Sequence, residues 1–392
     1  MISVEEALSR VLALAHAPEG EEIAIADAVG RSLLSPVSAR LTQPPFDAAA
    51  MDGYALREAD IAAPLRVIGE SAAGHPWSGE AAPGTSVRIF TGAPVPAGYD
   101  RVVMQENTAR EGDLLTVTDR SGGSHIRPRG NDFSEGDRFA PARPLTASDI
   151  GLLAGMNIPT VGVARRPRVA VLATGDELVR PGEIPAPGQI VCSNDIAVAA
   201  LARAAGAEAE VLPIARDTEA SLRDSFARAA GADLVVTIGG ASVGDHDLVG
   251  KVAGELGMDR VFYKIAMRPG KPLMAGRIGR SAMLGLPGNP VSSIVCAVIF
   301  MQPLIQRMQG LPGGVAIRRA RLDRDLGPEG PRQHYLRATL AEGEDLPLIT
   351  PYGDQDSARL ALISQADALM IRPAKDGPRR AGEIVDFIPL RS

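Results

Sequence analysis

The chain has 392 residues, of which 45% are hydrophobic and 22% are charged, and its formal net charge is −6. This length exceeds one ordinary hydrophobic core and predicts several domains. The acidic balance argues against general binding to nucleic acid or to an anionic membrane. Aromatic residues make up only 4% of the chain, which further weakens a function based on stacking nucleic-acid bases.

The N-terminal stretch MISVEEALSRVLALA predicts an amphipathic helix over residues 3–16, with Ser3 and Glu6 as a capping box. It has no basic leader, so we do not expect a signal peptide. The most apolar segment, VSSIVCAVIFMQPLI, is interrupted by polar residues and by Pro303 and is too short to span a bilayer. We therefore expect a cytoplasmic protein that binds no membrane, with Cys192 and Cys296 reduced and buried.

Two changes of pattern follow along the chain. From about residue 41 to 140, short β-like runs such as PLRVIGE alternate with Gly/Pro turns and predict a β-rich unit. After the helical stretch TASDIGLLAGMNI, uninterrupted Val/Ile/Leu strands alternate with helices, which is typical of a mostly parallel sheet covered on both faces. Its last helix is predicted to begin at Asn289 as N-cap, with Pro290 first. From about residue 311 the pattern predicts a small β-barrel or sandwich.

Three glycine-rich turns follow predicted strands of the sheet, and they read ATGDEL, IGGASVGDHD and LPGNPVS. Glycine lets backbone N–H groups approach a ligand, and the helix starts that follow favour an anion. Ligands of such sheets bind beyond the carboxyl ends of the strands. We therefore expect the turns to share one phosphate-binding edge, with contacts from Gly239, Gly240, Ser242 and Gly244.

Carboxylates are expected at the same edge. Magnesium prefers oxygen ligands and shares them with a phosphate substrate, so these residues suit a magnesium site. The residues alone leave open a second interpretation, in which they are helix caps and solvated loop charges, and RDTEASL is indeed a good helix start. The carboxylates are Asp176, Glu177, Asp217, Asp245 and Asp247.

The stretch YKIAMRPGKP supplies cations. We predict that Lys264 and Arg268 lie in one strand that runs into a Pro-Gly turn, and strand alternation then puts them on the same side. Two prolines and a glycine around Lys264, Arg268 and Lys271 favour a rigid anion clamp over a solvated edge strand.

Rigid turns of the β-rich unit carry mixed polar residues that suit a small oxyanion or a polar ring, although ordinary turn chemistry is the alternative. These residues are Asp47, Asp52 and Tyr54 in PPFDAAAMDGYALR, Thr91 in FTGAPVPAGYDRVVMQE, and Arg127, Arg129, Asn131 and Asp132 in HIRPRGNDF.

Seven stretches, in this order, resemble the molybdopterin molybdenumtransferases of the MoeA family, which are similar to the E domain of gephyrin. They are PPFDAAAMDGYALR, FTGAPVPAGYDRVVMQE, IRPRGNDF, LATGDEL, GGASVGDHD, MRPGKP and LPGNPVSS. The resemblance implies an α/β multidomain chain with a helical linker domain (1–40 plus 141–165), a β-rich inserted domain (41–140), a central MogA-like α/β domain (166–310) and a small C-terminal β-barrel (311–392).

The resemblance also implies an activity. Members of the family insert molybdenum from molybdate into adenylyl-molybdopterin, release AMP and require Mg²⁺. It further implies a homodimer whose active site lies between the α/β domain of one subunit and the β-rich domain of the other. Molybdopterin adenylyltransferase and chaperones of molybdoenzymes are the expected helper proteins.

Carried over residue by residue, the family pattern names two sets of site residues. The β-rich domain contributes Asp52, Thr91, Arg127 and Asp132. The C-terminal domain offers Arg332 and Arg337 in PRQHYLRA, and Ser357, as substrate contacts. The α/β domain contributes Glu177, Asp217, Asp247, Lys264 and Arg268, with the three carboxylates holding the metal. Arg268 stands where many members have lysine, and a planar fork does not position an anion as an ammonium does.

Two other functions compete with this interpretation. A molybdopterin adenylyltransferase would share the α/β domain, but the β-rich insertion and the C-terminal domain argue against it. A non-catalytic scaffold like gephyrin is the other, and the retained acidic and basic residues argue for catalysis.

The metal-holding role of Asp247 gives a direct test. Asp247→Ala should abolish AMP release and leave the dimer intact, because the variant loses one carboxylate for Mg²⁺ and no apolar surface. AMP release and size-exclusion chromatography measure the two effects. Normal turnover by the variant would remove this role.

Overall fold

The computed structural model describes residues 1–240 and 248–391. Its contacts divide the chain into two compact units, Met1–Glu21 with Ala164–Ser392, and Glu22–Val163. Helix α1 (Val4–Leu12) belongs to the first unit, and the Ser3 hydroxyl accepts the N–H of Glu6 at 3.1 Å. The cap is therefore where the sequence predicts it, but the chain turns at Ala13 and the helix ends earlier than residue 16.

The second unit is built mainly from short strands. A six-stranded sheet has the order β7-β4-β6-β5-β9-β8, in which β5 and β6 are parallel and the other pairs antiparallel. The helices and strands between residues 20 and 164 are β1 (Gly20–Ala24), β2 (Val37–Ser38), β3 (Ala48–Ala49), β4 (Gly53–Leu56), β5 (Leu65–Ser71), β6 (Thr85–Ile89), β7 (Arg101–Met104), β8 (Thr108–Glu111), β9 (Leu114–Val117), β10 (Ile126–Arg127), β11 (Arg138–Phe139), α2 (Ala147–Gly155) and β12 (Thr160–Ala164).

The first unit contains the central sheet, whose order is β16-β13-β17-β21-β20-β18. Its elements are β13 (Arg168–Ala173), β14 (Leu178–Val179), β15 (Ile190–Val191), α3 (Asn194–Ala204), β16 (Glu208–Val211), α4 (Glu219–Arg228), β17 (Leu234–Ile238), α5 (Leu248–Glu255), β18 (Asp259–Lys264), β19 (Met267–Arg268), β20 (Pro272–Ile278), β21 (Ser281–Leu286), α6 (Pro290–Cys296) and α7 (Gln302–Met308). A π-helical segment, Ala297–Met301, joins α6 to α7.

Alternating residues of the central strands enter two different cores. Val169 and Val171 pack with α1, α3 and the helix that runs from α6 to α7, whereas Ala170 and Leu172 pack with α4 and α5. Both faces of the sheet are covered, which explains why β13 and β17 are apolar almost throughout. The predicted mostly parallel sheet is confirmed, except that β20 runs antiparallel to both of its neighbours.

The C-terminal strands close into a barrel. The order β23-β24-β22-β26-β25 returns to β23 through a further pairing, so five strands form a ring. The small β-barrel is thus confirmed, and the sandwich is excluded. The elements are β22 (Arg318–Leu322), β23 (Gln333–Ala341), β24 (Leu348–Pro351), α8 (Leu360–Gln365), β25 (Ala368–Arg372) and β26 (Ile384–Pro389).

The prediction of a single strand through Lys264 and Arg268 is wrong. Strand β18 ends at Lys264 and pairs with β20 in the central sheet, whereas Arg268 lies in β19, which pairs with β23 of the barrel sheet. The chain changes sheets between the two cations, so strand alternation does not relate their side chains.

The helix from Pro290 to Met308 has 19 residues, longer than the apolar run suggested. Among the described residues it is the one helix long and apolar enough to cross a membrane, yet 78% of its apolar window is buried inside the protein. It is therefore a core helix. Cys192 and Cys296 are free and buried, as predicted.

Residues 1–21 group with the C-terminal unit, whereas the sequence assigned residues 1–40 to a linker domain. The four domain boundaries remain a prediction.

The start of α2 depends on a buried carboxylate. Thr146 and Asp149 form a reciprocal capping box, and Asp149 also accepts a hydrogen bond from Arg143 at 3.0 Å. Asp149 is 6% exposed. The Arg143 guanidinium, aided by the N–H and hydroxyl of Thr146, holds the pKa of Asp149 well below its usual range, against the effect of burial.

We predict that Asp149→Asn destabilises the protein by about 1–3 kcal/mol at pH 7, because a buried charged hydrogen-bond acceptor is lost. Since the folded pKa is lowered, this stabilisation is present above the unfolded pKa of about 4 and is lost as pH falls below it. Urea unfolding should therefore show a difference in unfolding free energy between the wild type and Asp149→Asn that is smaller at pH 3 than at pH 7. Asp113→Asn, at an exposed position, is the control. An equal difference in unfolding free energy between the wild type and Asp149→Asn at both pH values would contradict the prediction.

Candidate active site

A cavity of about 990 Å³ lies at the carboxyl edge of the central sheet. Its walls are the turns after β13, β17 and β21 together with the N-termini of α3 and α6. The described residues of the three glycine-rich turns therefore lie at one edge. The polar and turn residues that line it include Thr174, Gly175, Glu177, Ser193, Asn194, Asp217, Gly239, Gly240, Gly288, Asn289 and Ser292.

The turn after β13 folds the Glu177 carboxylate back over Gly175. Gly175 has φ +152°, and a Cβ built on it would lie 2.4 Å from Glu177 Oε2. This position therefore requires glycine for both its backbone conformation and its side-chain neighbour. Within ATGDEL, Gly175 therefore positions Glu177.

Asp217 does not cap α4. The N-cap is Thr218, whose hydroxyl accepts the N–H of Ser221, and Asp217 lines the cavity instead. Its own N–H donates to Asp176 Oδ1 at 3.2 Å. Burial raises the pKa of Asp217, and the charges of Asp176 and Glu177 raise it further. Three carboxylates therefore lie close enough together to repel one another.

Backbone groups surround the rest of the cavity. Gly240 has φ +63°, and a Cβ there would lie 2.4 Å from Val249 Cγ2, so the close turn after β17 excludes any larger residue. The N-termini of α3 and α6 place helix dipoles at the wall, where they favour an anion. Ser242, Gly244, Asp245 and Asp247 lie outside the described residues.

Two of the predicted cations, Lys264 and Lys271, are backbone neighbours of one residue of the cavity wall. That residue is Pro272, which pairs with Lys264 across β18 and β20 and directly follows Lys271. The other two, Arg268 and Arg332, lie on the barrel side. Arg332 donates to the Met267 carbonyl at 3.4 Å.

Arg268 and Arg332 share a neighbour in His334, which is 4% exposed and lies 3.0 Å from Glu329. Burial lowers the pKa of His334, and the two arginine charges lower it further while Glu329 opposes them. Lys264 and Arg268 therefore lie in different sheets, while Arg268 and Arg332 both lie near His334.

One edge of the cavity comes from the C-terminal barrel. Asn289 is the N-cap residue of α6, as predicted, but its side-chain amide donates to the Ser357 hydroxyl at 3.0 Å and makes no capping hydrogen bond. The Val291 N–H donates to the Ser357 carbonyl. Arg337, which is 1% exposed, holds the preceding loop through Gln355 and the Asp356 carbonyl. Ser357 thus lies against the site through its contacts with a helix of the α/β domain.

The second unit holds the other predicted set. Asp52 Oδ1 accepts both the N–H of Thr91, at 2.7 Å, and its hydroxyl, at 2.8 Å. The backbone bond and then the hydroxyl bond from Thr91 lower the pKa of Asp52, and Arg88 adds a smaller effect. Both residues are exposed, so Asp52 orients Thr91 at a surface.

Arg127 and Asp132 belong to one stretch of chain, which contacts β3 and the residues before it. Arg127 in β10 pairs with Ala48 of β3. On its other side, Ala48 forms a β-bridge with Pro94, which lies in the turn after Thr91. The Asp132 N–H donates to the Gln43 carbonyl. The structure therefore places Arg127 and the turn that follows Thr91 on the two sides of β3, which we call the surface around β3, and Asp132 lies further along the chain.

The sequence interpretation missed Asn194. Its amide donates to the Gly288 carbonyl at 2.6 Å and so ties the start of α3 to the turn after β21. The signal was the Ser-Asn-Asp start of a helix that follows a short strand, which gives no hint of a partner 94 residues away.

The carboxylates among the described residues do not form a complete metal site. Within residues 1–240 and 248–391, no three His, Cys, Asp or Glu side chains are placed to hold a metal ion. Glu177 and Asp217 nevertheless supply oxygen ligands in one cavity, which is the ligand type that Mg²⁺ takes.

Comparisons with known proteins agree over the length of the chain. Residues 2–156 match the MoeA N-terminal region (domain I and II), residues 170–307 a probable molybdopterin binding domain, and residues 319–390 the MoeA C-terminal region (domain IV). A molybdopterin molybdenumtransferase of Nostoc sp. is 37% identical over 88% of this chain and 83% of its own length. This chain belongs to the MoeA family.

Other members support the assignment. Molybdopterin molybdenumtransferase 2 of Mycobacterium tuberculosis is 34% identical over 95% of this chain and 96% of its own length. The crystal structure of a molybdopterin biosynthesis MoeA protein from Pyrococcus horikoshii has a TM-score of 0.82 at 30% identity and covers both chains fully. The resemblance in the seven motifs is confirmed, and so is the MoeA fold.

The placement of Glu177 over Gly175 can be tested within this MoeA chain. Gly175→Ala should displace the Glu177 carboxylate, because the new methyl would occupy its place and φ +152° is unfavourable for alanine. A crystal structure of the variant measures the displacement. Gly254→Ala in α5, where a Cβ meets nothing within 4 Å, is the control. An unmoved Glu177 in Gly175→Ala would contradict the prediction.

Proposed function

We propose that this protein is a molybdopterin molybdenumtransferase, which inserts molybdenum from molybdate into adenylyl-molybdopterin and releases AMP. One observation carries the proposal: Glu177 and Asp217 line a single cavity with two helix N-termini, in a chain of the MoeA family. The substrate joins a phosphoanhydride to a dithiolene, and a cavity of this kind holds it through its negative charge.

The phosphate groups of the substrate bind at the helix N-termini. Ser193 and Asn194 begin α3 and Ser292 lies in the first turn of α6, so N–H groups and dipoles meet at one wall. Lys264 and Lys271 offset further charge from the Pro272 side, and Arg268 and Arg332 do so from the barrel.

Glu177 and Asp217 would hold magnesium, with Asp247 as the third carboxylate. When bound, the ion would polarise phosphate oxygens for cleavage of the phosphoanhydride. The raised pKa of Asp217 supports this place for a cation, because its cause includes repulsion from Asp176 and Glu177 that a cation would relieve. Asp176 positions Asp217 by accepting its N–H.

Molybdate binds at the surface around β3. Asp52 accepts two hydrogen bonds from Thr91 and so fixes the threonine, while Arg127 supplies a cation for the dianion. Asp132 borders this surface. The protein works as a homodimer in which this surface of one subunit completes the cavity of the other.

The place of the protein in the cell follows from this reaction. It acts in the cytoplasm, receives its substrate from a molybdopterin adenylyltransferase and passes its product to chaperones of molybdoenzymes. Membrane and nucleic acid play no part.

Neither alternative explains all of these features. A molybdopterin adenylyltransferase would not need the surface around β3 or the barrel residue Ser357 at the cavity edge. ATP-dependent adenylylation of molybdopterin by the pure protein would favour it. A scaffold would not need crowded carboxylates, and an inactive protein that still dimerises and binds a helper would support that function.

The decisive assay follows AMP released from adenylyl-molybdopterin by the purified protein with Mg²⁺, with and without molybdate. We expect molybdate-dependent release, and we expect Glu177→Gln to reduce the rate by about 100-fold or more, since a charged group at the reacting phosphate is lost. Glu255→Gln, on the surface of α5, should match the wild type. A wild-type protein that releases no AMP would rule out the proposed function, whereas an active Glu177→Gln would remove only the role of Glu177.

A further inference from the structure

The turn that carries Glu177 is held from outside the cavity by one arginine. Arg216 Nη1 lies 3.2 Å from the Asp176 carbonyl oxygen, 3.3 Å from that of Leu178 and 3.5 Å from that of Gly175. These acceptors lie on both sides of Glu177 in the sequence. Two N–H groups on one nitrogen therefore engage the backbone before and after the carboxylate.

The backbone of Arg216 is itself anchored. Its N–H donates to the Ser221 hydroxyl at 2.9 Å. The residue before it, Ala215, pairs with Thr174 in a parallel bridge and accepts the N–H of Gly175 at 3.1 Å. Arg216 is thus fixed to α4 on one side and to the end of β13 on the other, which gives its side chain a rigid base.

The described contacts of the Arg216 side chain contribute neither to an ion pair nor to the hydrophobic core. Among the described residues, no carboxylate lies within ion-pair distance of the Arg216 guanidinium, and Arg216 does not line the cavity. It is an exposed residue, so its removal uncovers no core. The next residue is Asp217, whose N–H bonds to Asp176 within the turn that Arg216 holds.

We infer that Arg216 is a positioning residue, which clamps the turn from Gly175 to Leu178 and so sets the Glu177 and Asp217 carboxylates at the spacing that the reaction needs. This rests on the proposed function for its catalytic consequence, but the clamp itself is a property of the chain. Residues that orient metal ligands in this way commonly change metal affinity by about 10–100-fold when replaced.

Arg216→Met tests the clamp, because methionine keeps an unbranched chain of similar bulk and cannot donate a hydrogen bond. Hydrogen exchange measured by mass spectrometry over residues 174–178 and 216–218 should be faster than in the wild type. Arg216→Lys, which retains a donor, should lie between the two. Arg228→Met removes an exposed arginine of α4 that pairs with Asp224, and its exchange in these peptides should equal that of the wild type.

A second measurement separates positioning from mere stability. In the AMP-release assay, the Mg²⁺ concentration for half-maximal rate should rise by about 10-fold in Arg216→Met, with the unfolding temperature within a degree or two of the wild type. Unchanged exchange, or faster exchange with an unchanged Mg²⁺ dependence, would overturn the inference. If the wild type releases no AMP, the proposed function fails, and the exchange measurement still decides whether Arg216 holds the turn.

Discussion

The register between β13, β17 and β21 determines where this protein can do chemistry. Ala173 pairs with Ile238, and Ile238 pairs with Leu286, so the three strands leave the sheet at the same level. A slip of one residue would exchange the side chains that enter the two cores. The burial that fixes the register therefore also fixes the edge at which the three turns meet.

The cavity is built against several local preferences. Asp176, Glu177 and Asp217 repel one another, and Gly175 adopts a conformation that other residues avoid. Such arrangements persist only when the surroundings determine them strongly. Here the surroundings are the ends of apolar strands and a network of backbone hydrogen bonds, which together compensate for the crowding of charge.

Sequence patterns predicted the strands whose residues are apolar throughout because both of their faces are buried. Strands β13 and β17 are apolar on both faces because helices cover both, and this can be read directly from the letters. Strand β20 does not show such a pattern, because Pro272 and Gly276 interrupt its apolar residues. The break between Lys264 and Arg268 depends on Met267 pairing with Gln333, which is a contact far along the chain.

The site shows the same division. Glycine turns and carboxylates could be placed at the sheet edge from the sequence because strand ends converge there by topology. Whether Asp217 caps a helix was decided by Thr218, which takes that position instead. The contacts of Asn194 and Arg216 could not be predicted, because a polar side chain on a loop finds its partner only when the loops are folded.

The barrel makes the α/β domain dependent on a distant part of the chain. Arg337 is buried, yet it holds the loop whose Ser357 contacts Asn289 at the cavity edge. The central sheet and the barrel therefore build the pocket together, within one compact unit. A substitution in the barrel that moves this loop would alter the pocket without touching the central sheet.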